Sequence, residues 1–301
     1  MIKSVTVTNY VGDSLEMVLS DPQSSGFLIA SIEGLGPVES TINTVDLTTV
    51  DGAIFSNARS STRNIVMNLA FYGNDIESLR HKSYRYFPIK QKLDLLVKTD
   101  QRSAKISGYV EKNEPVIFSQ LETTQISIIC PSPWFHTEND QVTGFSTIKP
   151  LFEFPFSNES LDEPLIQFGE VVNDSSESVI YEGDIETGFV MNIHVTGNEI
   201  GDITIRNYNT RETMVLDVSV ISTIAGGDLR PGDDIYISTV VGDKYVHLVR
   251  DGVTYNILNS IGRNADWFVL RKGENRFLHE AEIGDTDLWY TITNPVLYEG
   301  V

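Results

Sequence analysis

Cys130 is the only cysteine of the chain and lies in "QISIICPSPWF", residues 125–135, just ahead of two prolines. A thiol acts as nucleophile or metal ligand as the thiolate, which needs an electropositive, partly exposed setting. The local pattern points elsewhere. Ile126, Ile128 and Cys130 share one face of an alternating run, and Gln125 and Ser127 share the other. Cysteine at such a position is a small apolar core residue, and burial makes its thiol inert. The nearest histidine, His136, lies beyond both prolines. One cysteine also excludes an internal disulfide and a zinc site of the CxxC type.

The remaining candidates for chemistry are dispersed. His81, His194, His247 and His279 are far apart, and His194 and His247 take polar positions of alternating strands. Exposed strand histidines are the expectation, with a shared metal site as the alternative. Asp228, Asp233, Asp234 and Asp243 raise calcium, but they lack the ligand spacing of a single DxDxDG loop. Asp and Gly are also the common residues of β-turns, so turns are expected here. Trp267, Trp289, Tyr236, Tyr245, Tyr255 and Tyr290 could stack on sugars, or fill a core or a subunit interface, which is the expectation. Trp267 and Phe268 are adjacent and point to opposite faces, so at most one is in the core. Arg59 and Arg63 read as solvated arginines; pairing with acidic groups across a subunit contact is the alternative. A glycosidase needs two carboxylates at a set separation, which scattered strands neither show nor exclude. Walker, GxGxxG, GxSxG and HExxH motifs are missing. No catalytic, cofactor-binding or metal-ligating residue is assigned, and no cofactor is expected.

The elements that would position these side chains are mostly strands. In "RNIVMNLAFYG", Ile65, Met67, Leu69 and Phe71 alternate with Asn64, Val66, Asn68 and Ala70. "QKLDLLVKTDQRSAKISGYVE" reads as strand, polar turn, strand. The prolines after Cys130 close the last strand of the first half, because proline donates nothing to a sheet ladder. A single helix is expected in that half, over 74–87, capped by Asn74 or Asp75 and stopped by Pro88. In the second half, "FVMNIHVTG" and "DLWYTITN" alternate, "DITIRNYNTRETMVLDVSV" reads as a hairpin, and "DDIYISTVVGDKYVHLVRDGVTYNIL" reads as three strands. "ADWFVLRKGENRF" reads as a strand closed by a turn at Gly273. Turn signals every 8–12 residues point to an antiparallel sandwich rather than a βαβ fold.

Length and charge divide the chain. With 301 residues, two domains are expected, 1–140 and 150–301. Residues 1–149 carry 13 Lys/Arg against 16 Asp/Glu, whereas residues 150–301 carry 9 against 26. A chain of net charge −20 without a basic stripe is repelled by phosphate backbones, so specific nucleic-acid binding is not expected. No apolar core of a signal peptide follows Met1, and no run approaches the roughly 18 apolar residues of a membrane span. A soluble chain made in a cytoplasm is the expectation.

Several stretches together are similar to the distal tail proteins of long-tailed phages infecting Gram-positive bacteria. They are "VDGAIFSNARSSTRNIVMNL", "ISGYVEKNEPVIFSQLETTQISIICPSPWF", "LRPGDDIYISTVVGDKYVHLVRDG", "WFVLRKGENRF" and the terminal "YEGV". The resemblance implies a mainly β chain: an N-terminal β-sandwich or barrel-like domain with one α-helix that forms a six-membered ring, then a C-terminal galectin-like antiparallel β-sandwich. It implies a structural virion protein at the phage tail tip, assembled in the host cytoplasm. The partners implied are other copies of itself, the tail tube protein, the tail-associated hub protein and receptor-binding proteins, with DNA passing through the ring. A lectin-like module recognising cell-wall saccharide is the alternative, and a phage-associated glycan hydrolase a more distant one.

Overall fold

A computed structural model describes residues 1–47, 51–119, 121–150, 169–173 and 176–301, with side chains described outside 146–150 and 169–176. The chain is mainly β. Its first strands are β1 (Ile2–Asn9), β2 (Ser14–Val18), β3 (Phe27–Glu33), β4 (Ser40–Asp46), β5 (Ala53–Ser60), β6 (Arg63–Phe71), β7 (Lys92–Thr99), β8 (Ser103–Val116), β9 (Thr123–Cys130) and β10 (Phe135–Thr137). There follow β11 (Gln141–Gly144), β12 (Ser146–Pro150), β13 (Gly169–Asn173), β14 (Ser176–Tyr181), β15 (Val190–Val195), β16 (Ile203–Asn207) and β17 (Thr213–Leu216). The last are β18 (Asp234–Ser238), β19 (Tyr245–Arg250), β20 (Val253–Asn256), β21 (Gly273–Ala281), β22 (Leu288–Asn294) and β23 (Leu297–Tyr298). The α-helices are α1 (Pro22–Ser25), α2 (Ile76–Tyr86) and α3 (Val218–Ala225). Two compact units result: Met1–Asn139 with Leu297–Val301, and Asp140–Val296. The terminal residues 297–301, which the sequence reading placed with the second half, therefore complete the first unit.

In the first unit, seven antiparallel strands run in the order β2-β1-β7-β8-β9-β6-β3. The 14-residue β8 is long enough to serve two neighbours on the side away from β7. It pairs β10 at Ala104 and Lys105, and β9 from Tyr109 onward. The alternation read from the sequence fixes which face is covered: Ile65, Met67 and Leu69 of β6, Leu93, Leu95 and Val97 of β7, and Ile126, Ile128 and Cys130 of β9 are all buried in one core. Helix α2 starts where the Asp75 carboxylate accepts from the Ser78 N–H and stops before Pro88. Polar contacts hold it to β1 and to α1: Asn9 Nδ2 donates to Arg85 O at 3.2 Å, and Lys82 Nζ to Ser25 O at 2.8 Å. Leu79 of this helix also packs directly over Gly26, where an added Cβ would lie 2.3 Å from a leucine methyl.

The prolines at 131 and 133 end β9 but not the unit, because β10 follows them and pairs both β8 and β23. Strands β4 and β5 form a separate two-stranded sheet, a hairpin outside the main sheet.

The second unit contains a six-stranded sheet, β11-β22-β15-β18-β19-β20, and a four-stranded sheet, β14-β21-β16-β17, with β12 and β13 as a separate pair. Side chains of the two larger sheets meet in a core. His279 of β21 lies flat against Tyr290 of β22 with centroids 3.6 Å apart, and Phe189, Phe268 and Phe277 pack together. Two sequence expectations fail here. The hairpin read through Val220 ends at Leu216, because Asp217 caps α3 by accepting from the Val220 N–H, and Gly226, at φ +72°, ends that helix. Gly273, expected to close a strand beginning near Trp267, instead opens β21; residues before it contribute only an isolated bridge between Leu270 and Thr187.

Candidate functional site

Cys130 is fully buried, and burial pushes its thiol up to about 11, against a weaker opposing pull from Arg63. Its register partner in β6 is Arg63. Arg63 is not solvated as the sequence suggested: it is 1% exposed. Its guanidinium donates to four main-chain carbonyls, Pro133 O from Nε at 2.7 Å, Glu299 O from Nη2 at 2.6 Å, and Gly34 O and Gly36 O from Nη1. The planar fork supplies five donors, which suits convergent carbonyls as a lysine would not. Desolvation lowers the Arg63 pKa. The cation is also stacked 4.6 Å from the Phe135 ring centroid. Arg59, by contrast, is exposed on β5. Sequence offers one hint of the difference: Arg63 begins the alternating run in phase with Ile65, Met67 and Leu69.

The aspartates near residue 233 separate into structural tasks. Asp233 is buried and takes Arg250 through Nε at 3.0 Å and Nη2 at 2.6 Å, and it accepts the Arg230 N–H at 3.0 Å. The same guanidinium donates to Ala225 O, Gly227 O and Asp228 O, tying the end of α3 to β18 and β19. Asp234 pairs with His194 Nδ1 at 2.8 Å, and Asp243 contributes its main-chain carbonyl to Ser238. Among the described residues no group of three His, Cys, Asp or Glu side chains is arranged to hold a metal ion.

The aromatic candidates divide by face. Tyr290 is core, and its hydroxyl is pushed up mainly by burial. Phe268 is core while Trp267 lies outside it, with Lys244 Nζ 5.0 Å from its ring centroid. Trp289, His194 and Asp234 stand in register across β22, β15 and β18, and Asn192, Tyr236 and His247 form the next row. Tyr245 and His247 stack at 4.5 Å. These side chains share the outer face of the six-stranded sheet, whereas Tyr255 is level with the buried Leu248.

Exposed apolar surface concentrates at two places in the first unit. Ile42, Val45, Ile54 and Phe55 of the β4–β5 hairpin are each more than half exposed. Val45 faces Ile54 across the ladder and Thr44 faces Phe55, so adjacent residues of β5 present apolar groups to both sides. The second place is the β8–β9 turn, where Val116, Ile117, Phe118 and Leu121 are exposed. The two lie at opposite ends of β6. The hairpin returns beside Arg63, while the β8–β9 turn meets Phe71, whose N–H donates to Glu122 O. Large exposed apolar groups gathered in this way mark interaction surfaces.

What the described residues assemble is thus a pair of antiparallel β units, the first with exposed apolar side chains gathered at two places. No family model matches the chain, and no curated protein matches it. Among solved structures, the SPP1 Dit (gp 19.1) protein, described as a paradigm of the hub adsorption apparatus in Gram-positive infecting phages, shares the fold. The TM-score is 0.62 at 11% identity, covering 97% of this chain and 98% of that one. A chain of the phage P2 baseplate in its activated conformation with Ca aligns at TM-score 0.47 and 14% identity, over 98% of both chains.

Proposed function

We propose that the chain is a structural virion protein, a distal tail protein at the tip of a phage tail. Residues 1–140 form a closed ring of six copies, and the galectin-like second unit projects from it. The ring joins the tail tube protein on one side to the tail-associated hub protein on the other, lets DNA pass without binding it, and offers the projecting units to receptor-binding proteins. The protein carries out no reaction.

The observation that carries this reading is the β4–β5 hairpin, a two-stranded sheet left outside the core with apolar side chains on both faces. A lone hairpin is marginal in water, so one that displays Ile42, Val45, Ile54 and Phe55 calls for a covering surface. A closed ring uses a heterologous contact, in which two different patches of one protomer meet their opposites on its neighbours. The hairpin and the β8–β9 turn, at the two ends of a nine-residue strand, are such a pair. The likeness of fold to the SPP1 Dit protein supports the same reading. The heavy acidity of residues 150–301 keeps six crowded projecting units soluble and apart. Negative-stain images of the purified protein test the proposal: six-fold rings with a central hole support it, and isolated two-lobed particles at all concentrations oppose it.

The two adjoining rows that hold Trp289 and His194, then Asn192, Tyr236 and His247, favour a second reading, a saccharide-binding face on the second unit. Binding of purified cell-wall polysaccharide that Trp289→Ala abolishes would support it; equal retention by both proteins would remove it.

A further inference from the structure

The root of the β4–β5 hairpin is held by a part of the chain more than two hundred residues away. Gly34, Leu35 and Gly36 lead from β3 into the first leg, and Arg63 follows the second leg by three residues. Arg63 clamps the first leg through Gly34 O and Gly36 O and, with the same guanidinium, holds Glu299 O. The segment 297–301 then closes the arrangement. Val301 N–H donates to Leu35 O at 3.1 Å, and Leu297 and Tyr298 pair with His136 and Phe135. Leu35, Tyr298 and Val301 pack on the core. Arg102 covers this segment from outside, with its guanidinium 4.3 Å from the Tyr298 ring centroid and Nη1 3.4 Å from Gly300 O.

Two glycines make the fit possible. A Cβ at Gly34, which sits at φ +84°, would lie 2.1 Å from Asn64 O, and one at Gly300 would lie 2.8 Å from Leu35 O. At both places main chain passes against main chain with no room for a side chain. The hairpin has no sheet beneath it, so its direction is set at this root.

We infer that residues 297–301, acting through Arg63 and Leu35, are a latch that fixes the direction of the β4–β5 hairpin for docking on a second copy of the chain. The docking part rests on the ring proposed above; the latch itself does not. Its consequence is that the segment returning from the second unit governs assembly by the first, without touching the docking surface.

A spin label on Thr41→Cys in the full chain reads hairpin motion, since the buried Cys130 thiol does not compete for the reagent. In the otherwise unaltered protein the label should give the line shape of an ordered site. Gly300→Val, which pushes the latch off Leu35, should sharpen the spectrum and weaken self-association by tenfold or more. Arg102→Ala removes only the outer cover and should shift both readouts in the same direction by less; this variant leaves the buried clamp and its folding untouched. An unchanged line shape in both variants overturns the latch. A loosened hairpin with unchanged association overturns its role in docking. If the unaltered protein never associates, the ring reading fails while the line shape still decides the latch.

Discussion

Replacing Phe55 by alanine should weaken assembly while leaving the fold intact. Phe55 is 62% exposed in the single chain. A phenylalanine presents roughly 200 Å² of side chain, so about 120 Å² is left for a partner to cover. At ~25 cal/mol per Å², covering it contributes about 3 kcal/mol to each contact. Alanine retains a fraction of that, so the loss should be about 2–3 kcal/mol, a 30- to 150-fold weakening of every protomer–protomer contact, on the order of a decade per 1.4 kcal/mol. In a closed ring all contacts suffer at once, so the transition from single chains to rings should move to much higher concentration. Sedimentation velocity over a concentration series reads that shift. A thermal melt should be nearly unchanged, because the residue packs little within its own chain. Tyr208→Ala, at a still more exposed aromatic of the second unit, serves as control and should leave association unchanged. Association of Phe55→Ala indistinguishable from the unaltered protein, at concentrations where both are partly dissociated, would refute the assignment of the hairpin as the docking element.

Three further outcomes follow from the buried groups. Asp233→Ala should cost about 3–5 kcal/mol in urea unfolding of the second unit, because it strands the Arg250 guanidinium in the core; adding Arg250→Met should recover part of that loss, and a cost below about 1 kcal/mol for Asp233→Ala would contradict the pairing. Cys130 should resist thiol reagents at neutral pH in the native protein and react after denaturation. Its folded pKa lies near 11, above the ordinary thiol value, so the unfolded chain loses this proton first and stability falls as pH rises from about 9 through 11. Cys130→Ala should flatten that decline by about 2–3 kcal/mol in comparative alkaline unfolding, at ~1.4 kcal/mol per pKa unit, and parallel curves would count against the burial argument.

Much of the fold was legible because a period of two survives in nearly every strand. β7, β15 and β22 alternate cleanly in burial, and β6 and β9 bury the faces read from sequence together with Ala70 and Ser127 of the opposite faces. Helix α2 was equally visible through Asp75 and Pro88. Helix α3 was hidden by its composition: "VSVISTIA" is β-branched and fits a strand by propensity, and only Asp217 before it and the Gly226-Gly227 pair after it mark a helix. The exposed hairpin and its root were harder to read. The exposed hairpin has ordinary strand residues, and nothing local tells that Ile42 and Phe55 lack a core to face. Apart from its phase with Ile65, Met67 and Leu69, nothing local marks Arg63 as buried, because the carbonyls it binds come from segments some 30, 70 and 236 positions away. The return of residues 297–301 to the first unit is a matter of topology, which period and composition do not encode.

The most direct test of a self-assembling ring is the native mass of the purified protein in solution. Six copies of a 33.6 kDa chain should give a species of about 200 kDa that dissociates as a unit on dilution. A mass that stays at one chain up to the highest soluble concentration, both alone and with the tail tube protein added, would contradict the account.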